Sequence, residues 1–250
     1  MSLYFRPEKG VLGDVIPFYD NGVFKPFYLR NYRGNRDANH QDSWVMLSTT
    51  DHVHFTEHDT KIVGGTGSVI KVDGIYHMFF CTFQVMPEKN YINHAVSTNL
   101  DTWTEIPEDR FASDNQIYAP VHWRDPFVFW CEEENCWWML YTQRRSGRNC
   151  IGVSNIHGTS IGIASSDDGN RWLYRGTVPN IEFEPGHNTF WAPEVIFAEG
   201  KYHIYVTYIR GIPTDWNWQR FIVHYSAQNL WDWKFESILN LSSDKVIDAC

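Results

Sequence analysis

One two-part phrase recurs four times along this 250-residue chain, and it constrains the fold more than any other feature. Its first part is a turn followed by an aromatic-rich run: Asp20-Asn-Gly-Val-Phe-Lys-Pro-Phe-Tyr-Leu, Asp73-Gly-Ile-Tyr-His-Met-Phe-Phe, Asn135-Cys-Trp-Trp-Met-Leu-Tyr and Glu199-Gly-Lys-Tyr-His-Ile-Tyr-Val. Turn residues set before such runs read as tight β-hairpins. The second part is a strand, a Ser, a polar turn, and then a Phe or Trp that opens another strand. It occurs in Trp44-Val-Met-Leu-Ser-Thr-Thr-Asp, His94-Ala-Val-Ser-Thr-Asn-Leu-Asp-Thr-Trp, Ile163-Ala-Ser-Ser-Asp-Asp-Gly-Asn-Arg-Trp and His224-Tyr-Ser-Ala-Gln-Asn-Leu-Trp-Asp-Trp. Helical periodicity is nearly absent, so the chain reads as all-β.

Each repeat therefore supplies an inner strand, its hairpin partner, a third strand and an outer strand introduced by Phe55, Trp103, Trp172 or Trp233. Four antiparallel strands per repeat make a propeller blade, and a β-sandwich gives no reason for one turn grammar to recur four times. The inner strands are expected to begin near Asp14, Ser68, Asp125, Glu194 and Asp248, between 54 and 69 residues apart. The expected fold is a single domain over residues 1–250, a five-bladed β-propeller with blades at about 14–63, 66–110, 123–178 and 192–240. A fifth blade begins at about 245 and is cut short, since five repeats of this length need roughly 290 residues.

In a propeller the inner strands surround a central channel, so residues distant in sequence meet at its mouth. Four of the five expected starts carry an acid: Asp14, Asp125, Glu194 and Asp248. Carboxylates gathered in an aromatic setting separate their pKa values, giving one protonated acid and one ionised base. Glycoside hydrolysis needs that pair. The bland reading makes the acids turn caps or ligands of a structural channel cation such as calcium. Composition removes other classes. Thirty Asp and Glu against 21 Lys and Arg give a net charge of −9, which is no footprint for nucleic acid or an anionic membrane. No apolar run approaches the roughly 18 residues of a membrane span. The first residues lack the pattern of a signal peptide, and five cysteines without a CxxC pair fit reduced thiols, so the expected location is cytoplasmic.

Three stretches, Gly64-Gly-Thr-Gly-Ser-Val-Ile, Trp123-Arg-Asp-Pro-Phe-Val-Phe-Trp with Trp137-Trp-Met-Leu, and the Ser-x-Asp-x-x-x-Trp turns, resemble the five-bladed propeller glycosidases of families 32, 43, 62 and 68. The resemblance covers about residues 10 to 250. It implies an enzyme that cleaves or transfers furanosides and related pentosides (fructosides, arabinosides, xylosides), with no organic cofactor and an oligosaccharide or small glycoside as its partner. Asp14 lies where this superfamily places its nucleophile or general base. Asp125, between Arg124 and Pro126, matches the transition-state-stabilising aspartate of family 32, and Arg124 would hold a substrate hydroxyl or orient a carboxylate. The general acid departs from the pattern: the family Glu two residues before Pro is Trp191 here, in Phe190-Trp-Ala-Pro-Glu, and Val15 follows Asp14 where Pro is usual. Three alternatives stay open: Glu194 serves as the acid, Asp248 contributes, or the protein is a carbohydrate-binding propeller that has lost the acid. A propeller used for protein interaction is a further reading.

Sugar-binding candidates complete the site. Trp44, Trp123 and Trp191 supply flat faces, as do Trp216 and Trp218, while Ser68, His187 and Asp248 belong by position. Trp103, Trp172 and Trp233 are better explained as packing between blades. No HExxH or close Cys/His set suggests a metal. The basic cluster Arg144-Arg-Ser-Gly-Arg-Asn is expected to close the channel mouth or pair with acids.

Overall fold

The hairpins form because their turn residues accept left-handed backbone. Asn21-Gly22, Asp73-Gly74 and Glu199-Gly200 each place two consecutive residues at positive φ, between 48° and 85°, the requirement of a type I′ turn. In the computed structural model the chain is described over residues 5–31, 42–82, 90–113, 118–119, 122–144, 159–181, 190–210 and 219–239. His187, Asp248, Trp216 and Trp218 lie outside the described residues, as does the basic cluster beyond Arg144.

Four four-stranded antiparallel sheets follow in chain order. Blade I contains β1 (Val11–Ile16), β4 (Phe27–Asn31), β5 (Ser43–Ser48) and β6 (Thr56–Val63), with the short pair β2 (Tyr19–Asp20) and β3 (Val23–Phe24) at its hairpin. Blade II contains β7 (Gly67–Val72), β8 (Ile75–Cys81), β9 (Ile92–Ser97) and β10 (Thr104–Glu105). Blade III contains β11 (Arg124–Cys131), β12 (Cys136–Arg144), β13 (Thr159–Ser166) and β14 (Leu173–Thr177). Blade IV contains β15 (Phe190–Ala198), β16 (Lys201–Arg210), β17 (Gln219–Ala227) and β18 (Lys234–Leu239). Among the described residues the only helical piece is the single 3₁₀ turn Pro107–Asp109. The innermost strands neighbour one another in order, β1 on β7, β7 on β11 and β11 on β15, which is the radial arrangement of a propeller.

The cores lie between blades. Phe27, Trp44 and Met46 of blade I meet Met78 and Phe80 of blade II; Phe79 and Ile92 of blade II meet Met139 and Tyr141 of blade III; Trp138 and Ile163 of blade III meet Ile204 and Tyr225 of blade IV. The Ser-to-Trp grammar has a physical cause. A Ser or Thr hydroxyl and an Asp or Asn side chain two residues later accept successive backbone N–H groups: Thr49 and Asp51, Ser97 and Asn99, Ser166 and Asp168. The ring that follows then packs inward. The indoles of Trp103 and Trp233 donate to the carbonyls of Leu100 and Leu230, each at 2.9 Å, and Trp172 stands edge-on to Phe79. These three rings are inter-blade packing, as expected. No helix among the described residues is long and apolar enough to cross a membrane.

Candidate active site

Three of the four inner strands carry a bulge at the same height, and each bulge holds or adjoins a predicted acid. Pairing of β1 with β4 skips between Leu12 and Val15, of β11 with β12 between Arg124 and Phe127, and of β15 with β16 between Trp191 and Glu194. Two residues therefore face one at each place: Gly13-Asp14 opposite Leu29, Asp125-Pro126 opposite Tyr141, and Ala192-Pro193 opposite Val206. Bulges re-aim side chains at barrel and propeller rims. The acids take three different places around them: second bulge residue for Asp14, first for Asp125, and the residue just beyond for Glu194. The residue equivalent to Asp125 in blade IV is Ala192, and both have left-handed backbone, at φ 56° and 48°. β7 runs in regular register through Ser68.

Asp125 is almost fully buried at 2 % exposure. Both of its carboxylate oxygens lie 3.1 Å from the Arg124 Nε, and the Thr142 hydroxyl donates to Oδ2 at 3.0 Å. The same Thr142 oxygen accepts the Ala192 N–H at 3.2 Å, so one side chain ties the blade III carboxylate to the blade IV bulge. Arg124 in turn lies over the ring of Trp191, 5.2 Å from its centroid. Asp14 is half-buried and accepts a short hydrogen bond from the Thr66 hydroxyl.

Cys81, the last residue of β8, links the surroundings of both aspartates: its N–H donates to the Thr66 carbonyl, the Thr66 hydroxyl holds Asp14, and the charges of Asp14 and Asp125 both reach its thiol. Burial pushes the Cys81 thiol up to about 12, the charges of Asp125 and Asp14 reinforce the rise, and that of Arg124 opposes it. Glu194 is half-buried, and desolvation raises its carboxyl from 4.5 to about 7. A carboxyl in that range is still largely protonated in weakly acidic water, unlike an ordinary Glu. These strands present the carboxyl of Asp14, the clamped carboxyl of Asp125 and the carboxyl of Glu194, whose shift comes from burial.

Three sugar-binding expectations need correction. Trp44 has no exposed surface; its indole donates to the Gly65 carbonyl at 3.1 Å and its ring belongs to the core between blades I and II. Trp123, at 2 % exposure, is enclosed by Tyr141, Phe111, Tyr118 and Tyr174, with ring centroids 4.5 to 6.2 Å away. The Ser68 hydroxyl accepts the Val128 N–H at 3.1 Å and pins β7 to β11. All three serve packing and blade registration. Trp191 remains half-buried, with Arg124 stacked on it.

Several neighbours of the acids are not indicated by sequence reasoning. Thr66 lies inside the Gly-rich phrase before β7, Thr142 follows the third aromatic run, and Cys81 follows the second. His122 precedes the Trp-Arg-Asp-Pro phrase; burial, with the positive charges of Arg124 and Arg144, lowers its imidazole to about 4. The one available signal was adjacency to motifs, because which side chains face the channel depends on the bulge register.

A radial set of four-stranded sheets with carboxylates at the bulges of its inner strands defines the class: a β-propeller of the glycosidase type. Residues 4–175 match the glycosyl hydrolases family 32 N-terminal domain, and the chain belongs to that family. Solved structures agree in fold. A family 32 β-fructofuranosidase of Bombyx mori superposes with a TM-score of 0.68 at 14 % identity, over 92 % of this chain and 50 % of its own. The sucrose-6-phosphate hydrolase of Lactobacillus gasseri gives 0.69 at 17 %, over 92 % and 48 %. The arabinanase Arb43A of Bacillus subtilis gives 0.60 at 12 %, over 88 % and 74 %. This chain thus spans about half the length of the first two. No match was found among curated proteins.

Proposed function

We propose that the protein is a glycoside hydrolase acting on furanosides or related pentosides, with Asp14 as nucleophile or general base, Asp125 as transition-state stabiliser and Glu194 as general acid. The observation that supports this reading is that Asp14 and Asp125 lie at inner-strand bulges and their charges both reach the Cys81 thiol, with a carboxyl raised to about 7 in blade IV. In the proposed reaction Glu194 gives its proton to the departing glycosidic oxygen as that bond breaks. The Asp14 carboxylate either attacks the anomeric carbon or takes a proton from the attacking water. Asp125, held by Arg124 and Thr142, keeps its charge near the developing oxocarbenium ion, and no organic cofactor is needed. Relatives of the same fold support the substrate class: a variant of the Bombyx mori enzyme is in complex with sucrose, and a fructan 1-exohydrolase of Cichorium intybus with 1-kestose.

The reading includes a five-bladed ring. His77, Phe79 and His94 stack on the face of blade II that blade III covers, and His203, Tyr205 and His224 repeat the stack at the same register in blade IV. A further blade would cover that second stack as blade III covers the first.

A second reading, a carbohydrate-binding propeller without turnover, is favoured by one observation: Ala192 occupies the bulge position that Asp125 holds in blade III. The test is sugar release from aryl fructofuranosides, arabinofuranosides and xylosides by the purified protein at pH 5 to 7, with calorimetry on the free sugars. Release supports the enzyme; binding without release over the whole panel supports the second reading.

A further inference from the structure

Arg144 ends β12 and Thr159 opens β13, and the two stand directly opposite each other across the sheet. Both are buried, Arg144 at 4 % and Thr159 at 1 % exposure. The Arg144 Nε and the Thr159 hydroxyl are shut off from solvent, and neither has a hydrogen-bond partner among the described residues. Among the described residues no ion pair joins a carboxylate to the Arg144 guanidinium. A buried charge without a counter-charge is costly, and native proteins rarely leave a buried donor unmet.

The position of the pair says what would meet it. Side chains alternate along a strand, so Arg144 shares the face of Thr142, which reaches Asp125 and the Ala192 N–H of blade IV. Arg144 therefore lies in the cleft between blades III and IV, one pleat beyond the clamp on Asp125. It is close enough to Arg124 that both guanidinium charges act on the same imidazole, His122. Those two cations differ in one respect: Arg124 is turned onto Asp125, while no described carboxylate pairs with Arg144. A neutral hydroxyl would satisfy the donor but not the charge. A planar fork of donors beside a hydroxyl matches a phosphate or a carboxylate.

We propose that Arg144 and Thr159 form an oxyanion-binding subsite in the cleft between blades III and IV, taking a phosphate or carboxylate carried by the sugar. The inference rests on the glycosidase reading for its sugar, and it narrows the substrate class to anionic glycosides. The test is calorimetric titration of the whole protein at pH 7 with inorganic phosphate and, separately, with galacturonate, which distinguishes the two sources of negative charge. Saturable binding of one of them is expected. Arg144→Met should weaken it at least about tenfold, Arg144→Lys should fall between, and Thr159→Val should cost less. If neither anion binds the parent, or if the methionine variant binds like the parent, the subsite is refuted. If the methionine variant does not fold, the lysine variant decides, and affinity equal to the parent refutes the fork. Hydrolysis of neutral furanosides without anion binding overturns the subsite alone. Anion binding without hydrolysis of any glycoside keeps the subsite and overturns the enzyme.

Discussion

Replacing Glu194 by Gln tests the origin of the proposed acid through stability, without reference to any substrate. The amide has nearly the shape of the protonated acid, so packing around β15 is preserved. Raising a carboxyl from 4.5 in the unfolded chain to about 7 in the folded one corresponds to about 3 kcal/mol, at 1.36 kcal/mol per pH unit. The sign follows from proton binding. The folded state holds the proton more tightly, so this group's contribution is fully present below pH 4.5 and declines as pH rises towards 7. By pH 8 it is lost. Glu194→Gln never ionises and should gain on the parent by about 3 kcal/mol between pH 4.5 and pH 8. For a chain of this size that is a relative shift of roughly 6–12 °C in Tm. The difference between the two proteins is the quantity to read, because the buried histidines slope the parent's own curve the other way. Urea unfolding of both proteins at the two pH values measures it. If the difference is the same at both, Glu194 is an ordinary carboxyl and its role as acid fails.

Other outcomes follow from the same contacts. His77, buried against His94 and held at about 4, contributes stability that is present above pH 6.5 and lost as pH falls through 4; His77→Gln should flatten that limb of the unfolding profile. Ser68→Ala leaves the Val128 N–H unpaired between blades II and III and should cost about 1–3 kcal/mol in urea unfolding, with turnover kept. Thr142→Val removes the donor to Asp125 and the acceptor of the Ala192 N–H together; kcat should fall and stability should drop by about 1–3 kcal/mol, and Thr142→Ser should restore both.

What the sequence discloses and what it conceals divide along physical lines. The blades are readable because the devices that build them are local. Asp73-Gly74 makes its own turn, and Ser166 with Asp168 closes its own loop before Trp172 packs inward. The placement of Asp14 and Asp125 on inner strands is readable for a related reason, since fourfold repetition fixes where those strands start. The roles of Trp44, Trp123 and Ser68 are not, because a strand's inward and outward faces exchange at each bulge and with each shift of register. Nothing local in Phe190-Trp-Ala-Pro-Glu tells that Ala192, and not Glu194, shares the backbone of Asp125. Likewise Thr142 reaches across to blade IV, a contact set only when two blades pack. Arg144 reads as one of a run of basic residues, and its burial is not legible in that run.

The central claim, that carboxylates at the inner-strand bulges perform glycoside hydrolysis, is tested most directly by Asp14→Asn on an aryl furanoside that the parent hydrolyses. The account predicts an unchanged melting temperature and a fall in kcat of at least about a thousandfold. A folded Asp14→Asn protein that turns over the furanoside as fast as the parent would contradict it.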